Sequence, residues 1–553
     1  METADRILRN GKIYPVDEQF SQAEAMAVRG NHILYVGSEV GAEAYRDEHT
    51  LVTDLQGKTV LPGFIENHVH MNEYGNLVNR LSAYGKSKEQ LLSEIRQAVA
   101  KLQPGEWFLG APRAEGYDIR GWENPVLPGT EELDEAAPNN PVALFPAVAA
   151  GGTWVNTRML EALGFNPDDP QVQACRRSRE DGTLSGCFTG VVSNVIWRTT
   201  SMPHTWEEKI KAYQAAEKAL FSFGFTTVVD AANIGEVQEE VERLYAEGLL
   251  HIRYFGCLSR YTPGRGGGPQ ETMGTKAYFE KCPIIGAYGG RYNVRTVKLC
   301  TCGTIDNYGA EEYEPYCDRP DTCGTPSQTD EQLWEMVKSS HDHGMQLMCH
   351  AIGDKGIDRI LNCYQRLHEE SPINDLRYRV EHYQLITGDS PERMKAMGVI
   401  PSMQAMHGPD SAEVALKRLG PERVKRAYAT GLALQRIGIV IGGSDAPAAT
   451  PRAMSGIHAE VTCTNDHLEP KGGFNPENAI SVQDAIRSYT IWGAYSQFAE
   501  KERGSLEAGK LADYVILDRD PVQTGENAPD DLLKIQVVET VLEGETVYRA
   551  EAQ

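Results

Sequence analysis

LPGFIENHVH, residues 61–70, closes an apolar run with two histidines separated by one valine. Side chains two apart on a strand share a face, so on a buried strand His68 and His70 point the same way. Two polar groups there can serve core hydrogen bonds or meet solvent. They can also begin a metal site, because imidazole suits zinc, iron, manganese or nickel. The motif alone leaves both readings open, and the rest of the chain decides between them.

Outward from this stretch, short β-branched segments alternate with long helical patterns. After TVLPGFIENHVH come FTTVVDA, HIRYFGCL, VRTVKLC, MQLMCHA, LRYRVEH, GVIPSMQ and IGIVIGGSDAP, with helical stretches such as TDEQLWEMVKSSHDHG and SPERMKAMG before several of them. Eight strands with crossover helices is the count that a (β/α)8 barrel needs. An open doubly wound sheet is the alternative, but no glycine-rich dinucleotide fingerprint follows an early strand. The reading is therefore an α/β chain built on a TIM-like barrel over residues 61–499.

Both chain ends read differently. Alternating apolar positions around NG, GN and QG turns mark residues 1–60 as a small β unit, and residues 500–553 repeat that style. Neither end is large enough to fold well alone, so the two are expected to combine into one β-sandwich domain. Residues 80–200 are too long for one crossover and contain their own strand-like pieces, GEWFLGAP, NPVALFPAV and LSGCFTGVV. They read as an insertion covering the active-site mouth after the first barrel strand.

Composition narrows the partners. A net charge of -24 repels phosphate backbones and anionic lipid, and no apolar run is long enough for a membrane span. Neither nucleic acid nor membrane is an expected partner; a small molecule is, and a homodimer is the prior for assembly. METADRILRNGK has no apolar core before a small-residue cleavage site, so the expected location is cytoplasmic, with the eleven cysteines reduced.

Other strand ends carry further metal-competent groups. VRTVKLC places Lys298 late in its strand, MQLMCHAIGD ends on His350, LRYRVEH on His382, and IGGSDAP places Asp445. Each alone has an ordinary structural explanation. Together with His68 and His70 they point to a metal centre at the carboxyl ends of barrel strands. Lysine fits such a set once CO2 has converted its amine to an anionic carbamate that can bridge two metals. Unmodified, it would instead pair with substrate or a carboxylate, and one metal would suffice.

The motifs PGFIENHVH, VKL, HAIGD, VEH, SMQ and GSDAP, followed by GSLEAGKLADYVILDRDP, resemble the amidohydrolase superfamily from end to end. Within it the chain resembles the YtcJ-like branch, which includes N-substituted formamide deformylases. The resemblance implies two divalent ions, zinc first among zinc, manganese, iron and nickel. His68 and His70 would hold one with Asp445, His350 and His382 the second, and carboxylated Lys298 would bridge them. Such ions lower the pKa of a water towards neutrality and polarise a carbonyl. Asp445 would take the proton and pass it to a departing amine. The implied reaction is hydrolysis of a C–N bond in an amide, formamide or cyclic imide. An ester or lactone substrate, a non-hydrolytic step, or a barrel that only binds a ligand are the alternatives.

The chain departs from the branch at three places, the last two of which alter the pocket. Glu66 and Asn67 stand where the branch usually shows Asp-Ser, and AAGGTWVNT lacks the histidine that relatives often place before Trp-Val-Asn. KLCTCG puts Cys302 where the branch often has aspartate. If the strand extends that far, Cys302 faces the same way as Lys298, towards the substrate or the metals. His407, in SMQAMHGPD, is a further candidate substrate contact, and Tyr84 and Trp154 are candidate pocket walls. Free thiols are the default for Cys300, Cys302, Cys317 and Cys323, because their spacing is not that of paired zinc knuckles. HDHG at 341–344 closes a helical pattern, where residues two apart diverge, so His341 and His343 do not read as a metal pair. GRGGGP at 264–269 reads as a flexible loop.

Overall fold

The computed structural model describes residues 2–78, 80–83, 85–111, 116–119, 122–146, 152–200, 205–263, 269–370, 375–386 and 388–551. Its central sheet holds the eight expected strands: β1 (Phe64–Val69), β2 (Phe225–Asn233), β3 (Arg253–Leu258), β4 (Tyr292–Cys300), β5 (Gln346–Ala351), β6 (Arg379–His382), β7 (Ile400–Met403) and β8 (Ile441–Gly442). Neighbours in this series pair in parallel, in chain order from β1 to β8. Every residue of β1, β3, β6, β7 and β8 is buried, as expected for strands covered on both faces.

Closure between β8 and β1 runs partly through side chains. Asn67 Nδ2 donates to the Gly442 carbonyl at 2.7 Å, and the Ser444 N–H donates to Glu66 Oε1 at 2.9 Å. The Asp445 N–H adds a bond to the His68 carbonyl at 2.7 Å. Gly443 permits this approach: a Cβ there would lie 2.9 Å from Glu66 Oε1 and 3.0 Å from the His68 nitrogen. The fold is a nearly closed parallel barrel. Crossover helices include Asp330–Asp342, which starts on a capping box between Thr329 and Gln332, and Asp354–Glu370.

Two further sheets come from the chain ends. One runs His32–Gly37, Ala25–Arg29, Arg6–Arg9, Leu51–Asp54; the other Lys12–Ile13, Thr59–Pro62, Tyr514–Leu517, Val537–Leu542, Glu545–Arg549. Between them lies a core that includes Leu8, Met26, Ile33, Val60, Tyr514, Ile516 and Val541. These sheets and the barrel belong to one compact unit, Met1–His70, Glu217–Asp445 and Pro451–Gln553. Arg253 of β3 ties them together, donating to Asp513 and, at 2.6 Å, to Glu543.

Arg6 on one sheet reaches Glu539 on the other through two bonds of 2.8 and 2.9 Å, and Arg549 and Thr546 also donate to that carboxylate. Burial alone would raise the Glu539 pKa, but these donors outweigh it and hold it at about 2. A depressed carboxylate stabilises fully above its unfolded value and loses that contribution as pH falls through the folded one. Glu539→Gln is therefore expected to unfold at lower denaturant than wild type at pH 7, with the gap narrowing as pH falls from about 4.5 towards 2. Equilibrium denaturation at several pH values measures this; a constant gap would show that the ion pair contributes no pH-dependent stability.

The second unit comprises Met71–Ala216 with Ala446–Thr450. Its sheet runs Arg176–Ser178, Leu184–Phe188, Thr153–Val155, Val142–Leu144, Phe108–Leu109. A core including Leu91, Ile95, Leu133, Val142, Leu144 and Trp154 packs within this unit. Among the described residues, no helix is long and apolar enough to cross a membrane.

Candidate metal centre

The barrel brings the expected ligands together. His68 Nε2 lies 3.5 Å and His70 Nε2 3.2 Å from Asp445 Oδ1. Lys298 Nζ is 3.2 Å from His68 Nε2. The His382 ring centre lies 5.0 Å from that of His68 and 4.5 Å from that of His350. Two groupings, His68 with His70 and Asp445, and His382 with His407 and Asp445, have their ligand atoms within 4.8 Å of one another.

Regular strand alternation does not account for all of this. On an ideal β6, Glu381 and His382 would face opposite sides. His382 instead takes φ 71° and Asp445 φ 56°, left-handed conformations that are uncommon outside glycine. Such backbone marks places where packing imposes a direction on a side chain, and it occurs at functional sites.

Hydrogen bonds decide which nitrogen each imidazole offers. His68 Nδ1 lies 2.5 Å from Glu381 Oε2, an acceptor only, so that nitrogen carries the hydrogen and Nε2 faces the centre. His350 Nε2 is 3.3 Å from the Gly303 carbonyl, which leaves its Nδ1. His382 Nδ1 meets Gln404 Oε1 at 2.7 Å, which leaves its Nε2. Carboxylate, carbonyl and amide oxygens in these places orient histidine ligands and raise their basicity.

Charge states agree. Burial, followed by the Lys298 charge, brings His68 and His350 down to about 4, and burial with His350 beside it pushes His382 well below its usual value. All three are neutral at physiological pH, the form that binds a metal. Burial opposes ionisation of Asp445, but His68, His70 and His382 around it outweigh this and hold it well below the usual carboxylate range.

Several supporting residues escaped the sequence reading. Glu381 is fully buried and takes two bonds from Arg379, at 2.7 and 3.0 Å. Arg379 continues to the Asn67 carbonyl at 2.8 Å and Ser402 Oγ at 3.1 Å, joining β6 to β1 and β7. The only hint in sequence was the pair of opposite charges, Arg379 and Glu381, spaced two apart on a strand that ends on His382. Glu66 is also buried, and burial raises its pKa to about 7 against the bonds from Ser444 and His68. It fastens the barrel seam through the Ser444 and His68 backbone N–H groups.

Two expectations need correction. β4 ends at Cys300, so parity does not carry Cys302 into the site. Its side chain is 1% exposed in an apolar cluster with Ile305, Ala310, Tyr316, Ile352 and Leu385. What KLCTCG contributes to the centre is the Gly303 carbonyl. Trp154 is not a pocket wall: it is fully buried in the core of the second unit, packs on Tyr117 and Trp122, and donates its indole N–H to Gly129 O at 2.8 Å. Tyr84 and residues 264–268 of the glycine-rich loop lie outside the described residues. His341 bonds Tyr378 through Nδ1 at 2.5 Å while His343 stacks on Phe279, so HDHG is no metal pair. All eleven cysteines are free thiols.

An eight-stranded parallel barrel with neutral imidazoles, a lysine and a carboxylate converging at its strand ends defines a barrel enzyme with a metal-competent centre. Residues 51–548 match the amidohydrolase family, and the chain belongs to it. It is similar to the putative amidohydrolase YtcJ of Bacillus subtilis (strain 168), at 26% identity over 98% of this chain and 99% of the relative. It is 24% identical to the N-substituted formamide deformylase of Arthrobacter pascens over 98% of each chain. Among solved structures, an uncharacterized metal-dependent hydrolase from Pyrococcus furiosus superposes with a TM-score of 0.70 at 24% identity, covering 94% of this chain and 99% of that one. That likeness speaks for the fold.

Proposed function

We propose that this chain hydrolyses a C–N bond in a small amide, formamide or cyclic imide, using two divalent ions, zinc first among the candidates. The observation that carries the reading is the set of neutral imidazoles, each with one nitrogen committed to an acceptor and the other left for an ion. His68, His70 and Asp445 would hold one ion; His350 and His382 belong to the shell of the second. Bound there, the ions supply Lewis acidity, which lowers the pKa of water and polarises a carbonyl oxygen.

Asp445 has the position and charge of the proton carrier. Its Oδ1 lies between His68 and His70, and as an ionised carboxylate it can accept a proton and release it to a leaving amine. Lys298 supports a carbamate reading because its Nζ lies 3.2 Å from His68 Nε2, the nitrogen offered to an ion. An ammonium there would repel the ion, whereas the carbamate formed with CO2 is an anionic ligand. The formamide deformylase relative favours N-formyl compounds as the first substrates to try.

The test is metal analysis of purified protein, followed by a screen of N-formyl, N-acyl and cyclic amide substrates with metal-reconstituted enzyme. Two ions per chain are expected, with metal-dependent release of an amine from an open amide or formamide or metal-dependent ring opening of a cyclic one; a folded protein that takes up no metal would end this reading. Lys298→Ala is expected to lose metal and turnover together, with partial recovery on adding small carboxylates. Full metal and full turnover in that variant would remove the carbamate.

A further inference from the structure

We propose that His407 is a ligand of the second ion, so that His382, His407 and Asp445 hold it and Asp445 is common to both ions. This rests on the metal-dependent reading above and departs from it by sharing Asp445 between the ions and by adding His407, whose place after the seventh strand had suggested a substrate contact.

Three observations support the assignment. The ligand atoms of His382, His407 and Asp445 lie within 4.8 Å of one another, the same bound that the His68, His70 and Asp445 group meets. Among the described residues, His350 joins neither of these groupings. Imidazole ligands sit about 2.0–2.1 Å from zinc, so only a small inward movement of side chains would bring all three donors to one ion.

The second observation is how His407 is placed. It opens the helix His407–Arg423 directly after β7, and its backbone N–H donates to the Gln404 carbonyl at 3.0 Å. Gln404 is also the residue whose Oε1 lies 2.7 Å from His382 Nδ1. One residue therefore sets both histidines, the first through its side chain and the second through its backbone. The third is ring orientation: the two imidazole planes lie 15° apart with centres at 6.3 Å. At that separation the near-parallel rings are not in face-to-face contact.

On this arrangement His68 and His70 from β1 serve one ion, His382 and His407 from the ends of β6 and β7 serve the other, and Asp445 stands between. His350 and Lys298 complete the shell from β5 and β4. Loss of His407 should release the second ion and spare the first.

The experiment compares wild type, His407→Ala and His407→Gln after reconstitution with Co2+ and with Zn2+. Metal per chain, affinity from chelator competition and the visible spectrum of each added Co2+ equivalent are measured, and circular dichroism confirms the fold. His407→Ala is expected to retain one ion with wild-type affinity, to bind the second at least about tenfold more weakly, and to change the spectrum of the second Co2+ only. His407→Gln, which fills the same space, should show the same loss. Two ions bound with unchanged affinity and spectra in both variants would overturn the assignment, even if turnover falls, because a substrate contact would behave that way. A wild-type protein that is folded but takes up no metal would instead defeat the proposed function itself, before His407 enters.

Discussion

Glu381→Leu is expected to destabilise the protein by about 3–5 kcal/mol and to weaken metal binding roughly 10–100-fold. Both effects come from one carboxylate. Glu381 is fully buried, and burial pushes its pKa up, yet the Arg379 guanidinium and the His68 contact outweigh this and hold it far below the usual range. Removing the carboxylate leaves the Arg379 charge, itself 2% exposed, inside the barrel with, among the described residues, the Asn67 carbonyl and Ser402 hydroxyl as its hydrogen-bond partners. Leucine also leaves His68 Nδ1 without its acceptor, so the imidazole is free to turn and to offer the wrong nitrogen. Glu381→Gln separates the two contributions. It keeps an oxygen for His68 but not the charge for Arg379, so it should lose stability and retain more metal affinity than leucine does. Chemical denaturation of the metal-free proteins and chelator titration of the loaded ones measure the two effects separately. A leucine variant with wild-type midpoint and wild-type affinity would show that Glu381 neither balances Arg379 nor orients His68.

That network also shows where reading along the chain stops. The eight strands were legible because each is a short segment rich in β-branched and aromatic residues, as FTTVVDA and RYFGCL are, set between helical patterns. The candidate ligands were legible because histidine, lysine and aspartate recur at the carboxyl ends of those strands. Glu381 was not, since its meaning depends on His68, which is 313 residues away in sequence. Gln404 was hidden for the same reason: its value is in the nitrogen of His382 that it engages. Cys302 misled because alternation says where a side chain points only while the strand lasts, and β4 stops two residues earlier. Trp154 misled differently. Its segment was read as pocket lining, but the second unit has a core of its own to fill, and a large aromatic with a satisfied N–H fits that core.

Asp445→Asn should lower kcat by roughly 10^2–10^4-fold while the fold is kept, because the amide cannot carry the proton that the carboxylate moves. The backbone argues that the fold will survive. Asp445 sits at φ 56°, and asparagine is the substitution best suited to a left-handed position, where alanine would add strain. The bond from its N–H to the His68 carbonyl, which helps close β8 onto β1, does not involve the side chain. Asparagine also keeps an oxygen near His68 and His70, so ion binding should weaken less than turnover does. A fall in kcat with near-normal circular dichroism and most of the metal retained would assign the loss to proton transfer. The pH profile adds a second reading: a carboxylate held far below its usual range stays ionised across the neutral region, so wild type should show no loss of activity from Asp445 until strongly acid pH. Near-normal turnover in the asparagine variant would remove Asp445 as the proton carrier and leave it as a ligand alone. The departing amine would then have to take its proton from another group at the strand ends.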